Sequence, residues 1–251
     1  MERRIKQKIT ELEKQYHIHI LYACESGSRA WGFPSPNSDY DVRFIYVHPL
    51  DKYLAIDNPS SHLTFPVDDE LDLQGWDLKK TLQLIRKSNT TPFEWLQSPI
   101  IYHQNEAIAG QLWQLCAHFF NARGNIYHYL GIAKSALQNL DGQQIGIKKL
   151  FYVLRPLLCA EWCLEKRQIA PMSIIPLLTL LPDSLRQQIN DIITLKATMV
   201  ESAPITIAPE ILLFIEQSMI DISEQVQSIC EQHFNADKLD QFFRQTLMTL
   251  K

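Results

Sequence analysis

The chain has 251 residues, of which 46% are hydrophobic and 21% are charged, with 24 Lys and Arg against 28 Asp and Glu. This composition excludes a disordered polymer, and the length suits one large domain or two smaller ones. The formal net charge of −4 excludes a protein that holds nucleic acid by overall positive charge, so a polyanion would bind at a local patch or through metal ions.

The first hundred residues predict helices that flank short strands. Apolar residues at positions 5, 9, 12 and 16 have the spacing of an amphipathic helix. Aromatic and β-branched residues predict strands over 17–24, 40–47, 63–65 and 70–76, the last two joined by a turn at 66–69. Asp77 is expected to cap a helix that runs to about residue 88.

The remainder of the chain predicts helices. About five are expected after residue 105, the clearest over 147–166, with prolines at 171, 176, 182 and 209 near their boundaries. We therefore expect an α+β fold, with a small mixed sheet and flanking helices in residues 1–104, a C-terminal helical bundle in residues 105–251, and a cleft between them.

The cysteines and the N-terminus predict a reduced, cytoplasmic protein. The five cysteines form no Cys-x-x-Cys pair, and the N-terminus has no apolar segment typical of a secretory signal. The one long apolar stretch, 172–181, contains a proline and is too short to cross a membrane. Cys159 and Cys163 are expected to be buried apolar residues rather than metal ligands.

Two carboxylates in Ser38-Asp39-Tyr40-Asp41 are candidate metal ligands. Residues two apart on a strand share a face, so Asp39 and Asp41 would lie side by side. Two such charges about 4 Å apart repel by about 4 kcal/mol at an effective dielectric near 20, a cost that a cation would offset. Oxygen ligands suit Mg²⁺. Taken alone, this motif is more often a turn residue followed by an exposed aspartate.

The upstream segment Glu25-Ser26-Gly27-Ser28-Arg29-Ala30-Trp31-Gly32 suggests an anion site. A strand that ends in a Gly-Ser turn and opens into a helix presents backbone N–H groups, and the Ser28 hydroxyl can donate to phosphate. Gly27 would let a phosphate approach the backbone. Either motif alone is weak, but the carboxylates that begin eleven residues after Ser28 make the combination a plausible holder of a metal-bound triphosphate.

These motifs resemble a known family. Gly27-Ser28 with the Ser-Asp-Tyr-Asp motif is similar to the signature of the DNA polymerase beta nucleotidyltransferase superfamily. The longer Gly-Ser-Arg-Ala-Trp-Gly-Phe and Ser-Asp-Tyr-Asp-Val-Arg resemble a bacterial and phage branch of predicted nucleotidyltransferases, some associated with RNA repair and RNA ligase. The resemblance covers about residues 20–100 and, more loosely, 125–165. It implies a nucleotidyltransferase-type sheet.

The resemblance also implies a third carboxylate on a neighbouring strand. Asp72 fits best and Glu70 is the alternative, because Gly75 leaves the path of that strand open. With Asp39 and Asp41, the third acid would hold two Mg²⁺ or Mn²⁺ ions. Gly27 and Ser28 would then bind the β- and γ-phosphates of a nucleoside triphosphate, with added positive charge from Arg29.

The implied reaction moves a nucleoside monophosphate to an acceptor hydroxyl and releases pyrophosphate. An RNA 3′-end, a protein side chain and a small molecule all remain open as acceptors, and the oligomeric state is unknown. A module that binds nucleotide or an RNA-processing partner without catalysis is the alternative.

The helical half adds candidate nucleotide contacts. Lys148, Lys149, Tyr152 and Arg155 lie on adjacent faces of one predicted helix, and the resembled branch often carries basic and aromatic residues there. Arg155 and Lys149 would meet phosphate, and Tyr152 would stack on a base. A solvated basic rim with Tyr152 in the core is an equally weighted alternative.

Overall fold

A computed structural model describes residues 1–67, 70–138 and 140–250. In chain order its helices and strands are α1 (Glu2–Tyr16), β1 (His19–Ser26), α2 (Gly27–Trp31), β2 (Tyr40–Val47), α3 (Leu50–Tyr53), β3 (His62–Thr64), β4 (Leu71–Asp77), α4 (Leu78–Arg86), α5 (Thr90–Trp95), β5 (Ile101–Gln104), α6 (Glu106–His118), α7 (Ala122–Leu137), β6 (Gln144–Gly146), α8 (Ile147–Lys166), α9 (Ile174–Leu177), α10 (Asp183–Lys196), β7 (Pro204–Thr206), α11 (Pro209–Gln225) and α12 (Asp237–Thr249). The fold is α+β, as expected.

The chain forms two compact units. Unit 1 comprises Met1–Ala30, Asp39–Phe119 and His233–Lys251, and unit 2 comprises Trp31–Ser38 and Phe120–Gln232. Unit 1 thus takes in α6 and α12 together with the sheet. The domain boundary at residues 104 and 105 stays a prediction.

Unit 1 is built on a mixed five-stranded sheet with the order β3-β4-β2-β1-β5. β2 and β4 run parallel, whereas the other neighbouring pairs are antiparallel. β2 has the predicted bounds, and β1, β3 and β4 lie within two residues of theirs. Asp68 and Asp69 of the predicted 66–69 turn lie outside the described residues.

The side chains of β2 alternate between the buried core and the opposite face of the sheet. Val42, Phe44 and Tyr46 pack in a core with the apolar stripe of α1. The odd-numbered side chains Asp41 and Arg43 therefore point to the opposite face of the sheet. Gly75 of β4 is the register partner of Phe44, and a Cβ at position 75 would lie 2.1 Å from the Phe44 ring. This glycine is needed for packing, and β4 continues through it to Asp77.

Asp77 is the predicted cap of α4. Its carboxylate accepts a hydrogen bond from the backbone N–H of Lys79 at 2.8 Å and a second from the Tyr53 hydroxyl. The helix ends at Arg86, two residues before the expected end. The capping assignment is confirmed, and Asp77 is therefore accounted for without a catalytic role.

Unit 2 is dominated by α7 and α8, and α8 has the bounds predicted for the clearest helix. Cys159 and Cys163 of α8 are completely buried in its hydrophobic core, as expected for apolar residues. Seven α-helices follow residue 105 in the described part of the chain, against about five expected. Among the described residues, no helix is long and apolar enough to cross a membrane.

Residues 31–38 are anchored within unit 2 by buried polar contacts. The ammonium of Lys196, which is fully buried, donates to Ser35 Oγ at 2.9 Å. The hydroxyl of Ser38 donates to Glu201 at 2.6 Å, and the backbone N–H of Glu201 donates to Asn37. These contacts fix the segment that immediately precedes Asp39.

A buried carboxyl in unit 2 predicts a pH-dependent stability. Burial, and then the nearby charges of Glu165 and Asp221, raise the pKa of Glu161 to about 7. Its Oε2 is buried and has no hydrogen-bond partner among the described residues. Between about pH 4.5 and 7 the folded state keeps a proton that the unfolded state loses, so stability falls as pH rises through this window.

Replacing Glu161 with Gln removes the cost of ionising this group. We expect E161Q to raise the melting temperature more at pH 8 than at pH 5, as measured by thermal unfolding at both values. The exposed Glu216 on α11 provides a matched charge-removing control, E216Q. A gain for E161Q that is equal at both pH values would contradict the prediction.

Candidate active site

The Gly27 turn lies directly against the carboxylate of Asp41. Gly27 has φ +62° where β1 passes into α2, a conformation that favours glycine. A Cβ at this position would lie 2.0 Å from Asp41 Oδ2, so the close approach excludes any larger residue. Because α2 has only five residues, its dipole is small, and an anion here would depend on backbone N–H groups and the Ser28 hydroxyl.

Asp41 and Asp72 form the centre of the site. They are register partners on the parallel strands β2 and β4. Arg43 Nη2 donates to Asp41 Oδ1 at 2.8 Å and to Asp72 Oδ2 at 2.7 Å, so one guanidinium nitrogen bridges both carboxylates. Arg43 thereby offsets the repulsion that would otherwise oppose such a half-buried pair.

Asp39 does not join this pair in a preformed cluster. β2 begins at Tyr40, so Asp39 lies one residue before the strand, and its side chain is exposed. Within the described residues there is no group of three or more Asp, Glu, His or Cys side chains that could hold a metal ion. A metal site shared by Asp39, Asp41 and Asp72 stays a prediction.

The two candidates for the third acid differ in position. Glu70 is exposed in the turn before β4, where its backbone carbonyl accepts from Tyr40 N at 2.6 Å. Asp72 instead projects from β4 beside Asp41. The structure thus places Asp72, and not Glu70, beside Asp41.

Arg29 contacts Asp39 and Tyr40, at the start of β2. Its Nε donates to the backbone carbonyl of Asp39 at 3.1 Å, and its guanidinium lies 3.8 Å from the centre of the Tyr40 ring. These contacts place its positive charge beside the candidate phosphate turn and also tie that turn to the start of β2.

Glu25 is a functional candidate that the sequence reasoning missed. The residue is completely buried, and its Oε1 accepts from the backbone N–H of Asp41 at 2.8 Å. Its Oε2 accepts from the hydroxyl of Tyr102, and burial raises the pKa of its carboxyl. Ser98 Oγ donates to the Glu25 carbonyl at 2.7 Å. Glu25 thus fixes the position of the Asp41 backbone through this hydrogen bond.

The sequence analysis assigned no role to Glu25 or Arg43, although the sequence contains a signal for both. Glu25 and Arg43 each interrupt a strand that is otherwise rich in apolar residues. A charged side chain in a buried strand must find a partner, because burying an isolated charge is costly. That rule indicates that Glu25 and Arg43 have polar partners, but it does not say which groups they contact.

The three candidate residues of α8 lie in unit 2 and differ in environment. Lys149 is exposed, whereas Tyr152 is half-buried with its ring edge-to-face on Trp31 at 5.6 Å. Arg155 is only 3% exposed, donates from Nε to the Met172 carbonyl at 3.0 Å and lies 4.6 Å from the Trp31 ring. This burial supports a structural role for Arg155, and nucleotide contacts from α8 stay predictions.

The donor set fits a magnesium-type ion better than a transition metal. Mg²⁺ commonly uses one or two carboxylates and completes its shell with water and substrate phosphates. Asp41 and Asp72 supply such oxygens, and no sulfur or imidazole ligand is required. The Gly27 turn lies beside them, with the Asp41 carboxylate in the space next to the Gly27 Cα.

Comparisons with known proteins identify the family of this chain. The family model for RlaP, the RNA repair pathway DNA polymerase beta family, matches residues 1–245. The uncharacterized protein YcgL of Bacillus subtilis (strain 168) is 44% identical over 179 residues, which are 71% of this chain and 69% of YcgL.

A solved structure shows a weaker likeness. The nucleotidyltransferase-like protein from Exiguobacterium sibiricum 255-15 is 12% identical, with 89% of this chain and 75% of that chain covered, at a TM-score of 0.31. A score this low carries no argument about the fold. The match over residues 1–245, by contrast, confirms the resemblance that the Gly-Ser and Ser-Asp-Tyr-Asp motifs indicated, and the chain belongs to the RNA repair pathway DNA polymerase beta family.

Proposed function

We propose that the protein is a metal-dependent nucleotidyltransferase that transfers a nucleoside monophosphate from a nucleoside triphosphate to an acceptor hydroxyl. The acceptor that agrees best with the family description is the 3′-end of an RNA. The observation that carries the proposal is the pair Asp41 and Asp72, side by side on parallel strands with Asp41 against the Gly27 turn.

Each part of the site has a proposed role. The Gly27 and Ser28 backbone and the Ser28 hydroxyl bind the β- and γ-phosphates, and Arg29 adds positive charge. Asp41 and Asp72 hold a divalent cation, Mg²⁺ or Mn²⁺, which when bound neutralises triphosphate charge and lowers the pKa of a coordinated hydroxyl. Asp39 lies two residues before Asp41, and a second ion held with its help remains a prediction.

The proposed reaction is a displacement at the α-phosphorus. The acceptor oxygen forms a new bond to this phosphorus while the bond from the α-phosphorus to the bridging oxygen of the β-phosphate breaks, so pyrophosphate leaves. The hydroxyl proton passes to Asp72 or to solvent. Asp72 orients the hydroxyl, and Glu25 keeps Asp41 in place through the backbone N–H of Asp41.

Incubation of the purified protein with each α-³²P-labelled ribonucleoside triphosphate, Mg²⁺ or Mn²⁺, and total RNA tests the proposal. We expect a labelled product that RNase destroys and protease leaves intact, together with pyrophosphate and a complete requirement for the divalent ion. A chelator added before the nucleotide should abolish labelling.

Two other results would overturn parts of this assignment. If total cell extract is used instead of RNA and protease destroys the labelled product, the acceptor is a protein and not RNA. Nucleotide binding that needs no metal, with neither labelled product nor pyrophosphate from any acceptor, would establish the non-catalytic alternative. Calorimetry with and without Mg²⁺ measures that binding directly.

A further inference from the structure

Helix α4 carries an unusual concentration of positive charge in an acidic chain. Residues 78–87 contain four cations and no Asp or Glu, although the whole chain has a net charge of −4. We call the four cations the α4 basic face: Lys79, Lys80, Arg86 and Lys87. Lys79, Arg86 and Lys87 are exposed. The seven-residue spacing of Lys79 and Arg86 places these two along one side of the helix, and Lys87 follows directly after its last residue.

The α4 basic face has no counter-charge within its own segment, residues 78–87. Some cations of other helices pair with carboxylates, as in Lys6–Glu2, Lys8–Glu11, Lys166–Glu165 and Arg186–Asp183. In the described part of the chain, none of the four cations of α4 forms such an ion pair. Clustered like charges without counter-charges repel each other, so this arrangement favours a polyanionic partner.

Grooves run along both sides of the helix. One, with a volume of about 180 Å³, lies between α4 and α12 and is lined by Lys79, Arg86, Leu82, Phe243 and a single acid, Asp240. The other, of about 210 Å³, lies between α4 and residues 53–61 and is lined by Lys79 and Lys80. Asp77, the cap of α4, also borders the second groove, where its carboxylate accepts a hydrogen bond from the Tyr53 hydroxyl.

Strand β4 connects the α4 basic face to the candidate active site. Asp72, Gln74 and Trp76 alternate onto the same face of the sheet. Trp76 lies four residues from Asp72, a span of about 13 Å along a strand. The ammonium of Lys80 lies 4.9 Å from the Trp76 ring, so the basic face begins at this tryptophan.

We propose that the α4 basic face binds the phosphates of a single-stranded segment of the acceptor RNA, upstream of the end that enters the active site. The assignment of the strand as RNA rests on the proposed function. From Lys79 to Lys87 the helix rises about 12 Å, which matches about three phosphates of a stacked strand. Trp76 and Lys80 lie at the end of the α4 basic face that is nearest to Asp72.

The α4 basic face exposes more positive charge than the basic residues of α8. Lys148 pairs with Glu201, and Arg155 is buried against Trp31 and Met172. Of the basic residues proposed on α8, Lys149 alone is exposed. A run of phosphates requires several exposed cations close together, which residues 79–87 supply.

Fluorescence anisotropy with a labelled 12-nucleotide single-stranded RNA tests the proposal without any catalysis. The triple variant K79S/R86S/K87S should bind about 10- to 100-fold more weakly at 0.1 M salt, and the slope of log K against log salt should decrease by about 2. The matched control K6S/K8S/K14S removes the same charge from α1, which packs on the opposite sheet face, and should change the slope much less.

Three outcomes would overturn the proposal. The first is an unchanged salt slope in the α4 variant, and the second is an equal loss in the α1 control. The third is a polyglutamate peptide that competes as well as RNA at equal charge, which would assign the face to an acidic protein.

These results are separable from the proposed function. An active-site variant such as D72N should bind the RNA with the wild-type salt slope, whereas the α4 variant should keep metal-dependent nucleotide binding. If the wild type fails to transfer nucleotide but binds RNA through α4, the proposed reaction fails and the RNA surface stands.

Discussion

Replacing Asp41 or Asp72 with Asn is expected to reduce nucleotidyl transfer at least about a hundredfold, because each change removes a carboxylate from the centre of the site. The side chains keep their size, and Arg43 still has one carboxylate to bind in each single variant. We therefore expect both proteins to fold. Pyrophosphate release measures the transfer, and thermal unfolding verifies the fold.

The exposed Asp51 on α3 offers a matched control. D51N also removes one carboxylate from unit 1 and should retain full activity. The double variant D41N/D72N should bind nucleotide with no dependence on Mg²⁺, as measured by calorimetry. If this double variant still transfers nucleotide at the wild-type rate, the assignment of the site is wrong.

Gly27→Ala is expected to abolish metal-dependent nucleotide binding and to destabilise the protein by about 1–3 kcal/mol. The new Cβ would lie 2.0 Å from Asp41 Oδ2, and the backbone at φ +62° disfavours any side chain. Asp41 would have to move, and its contact with Arg43 would be disturbed. Urea unfolding gives the stability, and calorimetry with Mg²⁺ gives the binding.

Gly110 provides the contrasting substitution. It lies exposed within α6, and a Cβ there would meet nothing within 4 Å. Ala has a higher helix propensity than Gly, so Gly110→Ala should stabilise the protein by about 0.5–1 kcal/mol and leave nucleotide binding unchanged. A G27A protein that binds nucleotide and metal like the wild type would show that the close approach to Asp41 has no functional importance.

Local patterns predicted the longer elements well. β2 and α8 have the expected bounds, since each contains a run of apolar residues with an unambiguous period. Short strands were harder. β5 and the β6–β7 pair contain only three or four residues each, and their formation depends on neighbouring strands rather than on their own sequence.

The site was predictable in part. The Gly27 turn and the choice of Asp72 followed from the motif and the family resemblance, and the structure places Asp72 beside Asp41. Asp39 lies one residue before β2, and its part in a shared metal site stays a prediction. Arg43 was missed because its position between two carboxylates exists only after β2 and β4 pair in parallel.

The sequence alone was enough to predict the kind of chemistry that the motifs support, the family, and the longer helices and strands. All of these depend on residues that are close together in the chain. Tertiary structure alone decided which carboxylates meet. Asp41 and Asp72 are 31 positions apart, and the parallel register of two strands makes them neighbours. The burial of Glu25 against the Asp41 backbone has the same origin, because long-range packing selects the partners of a buried charge.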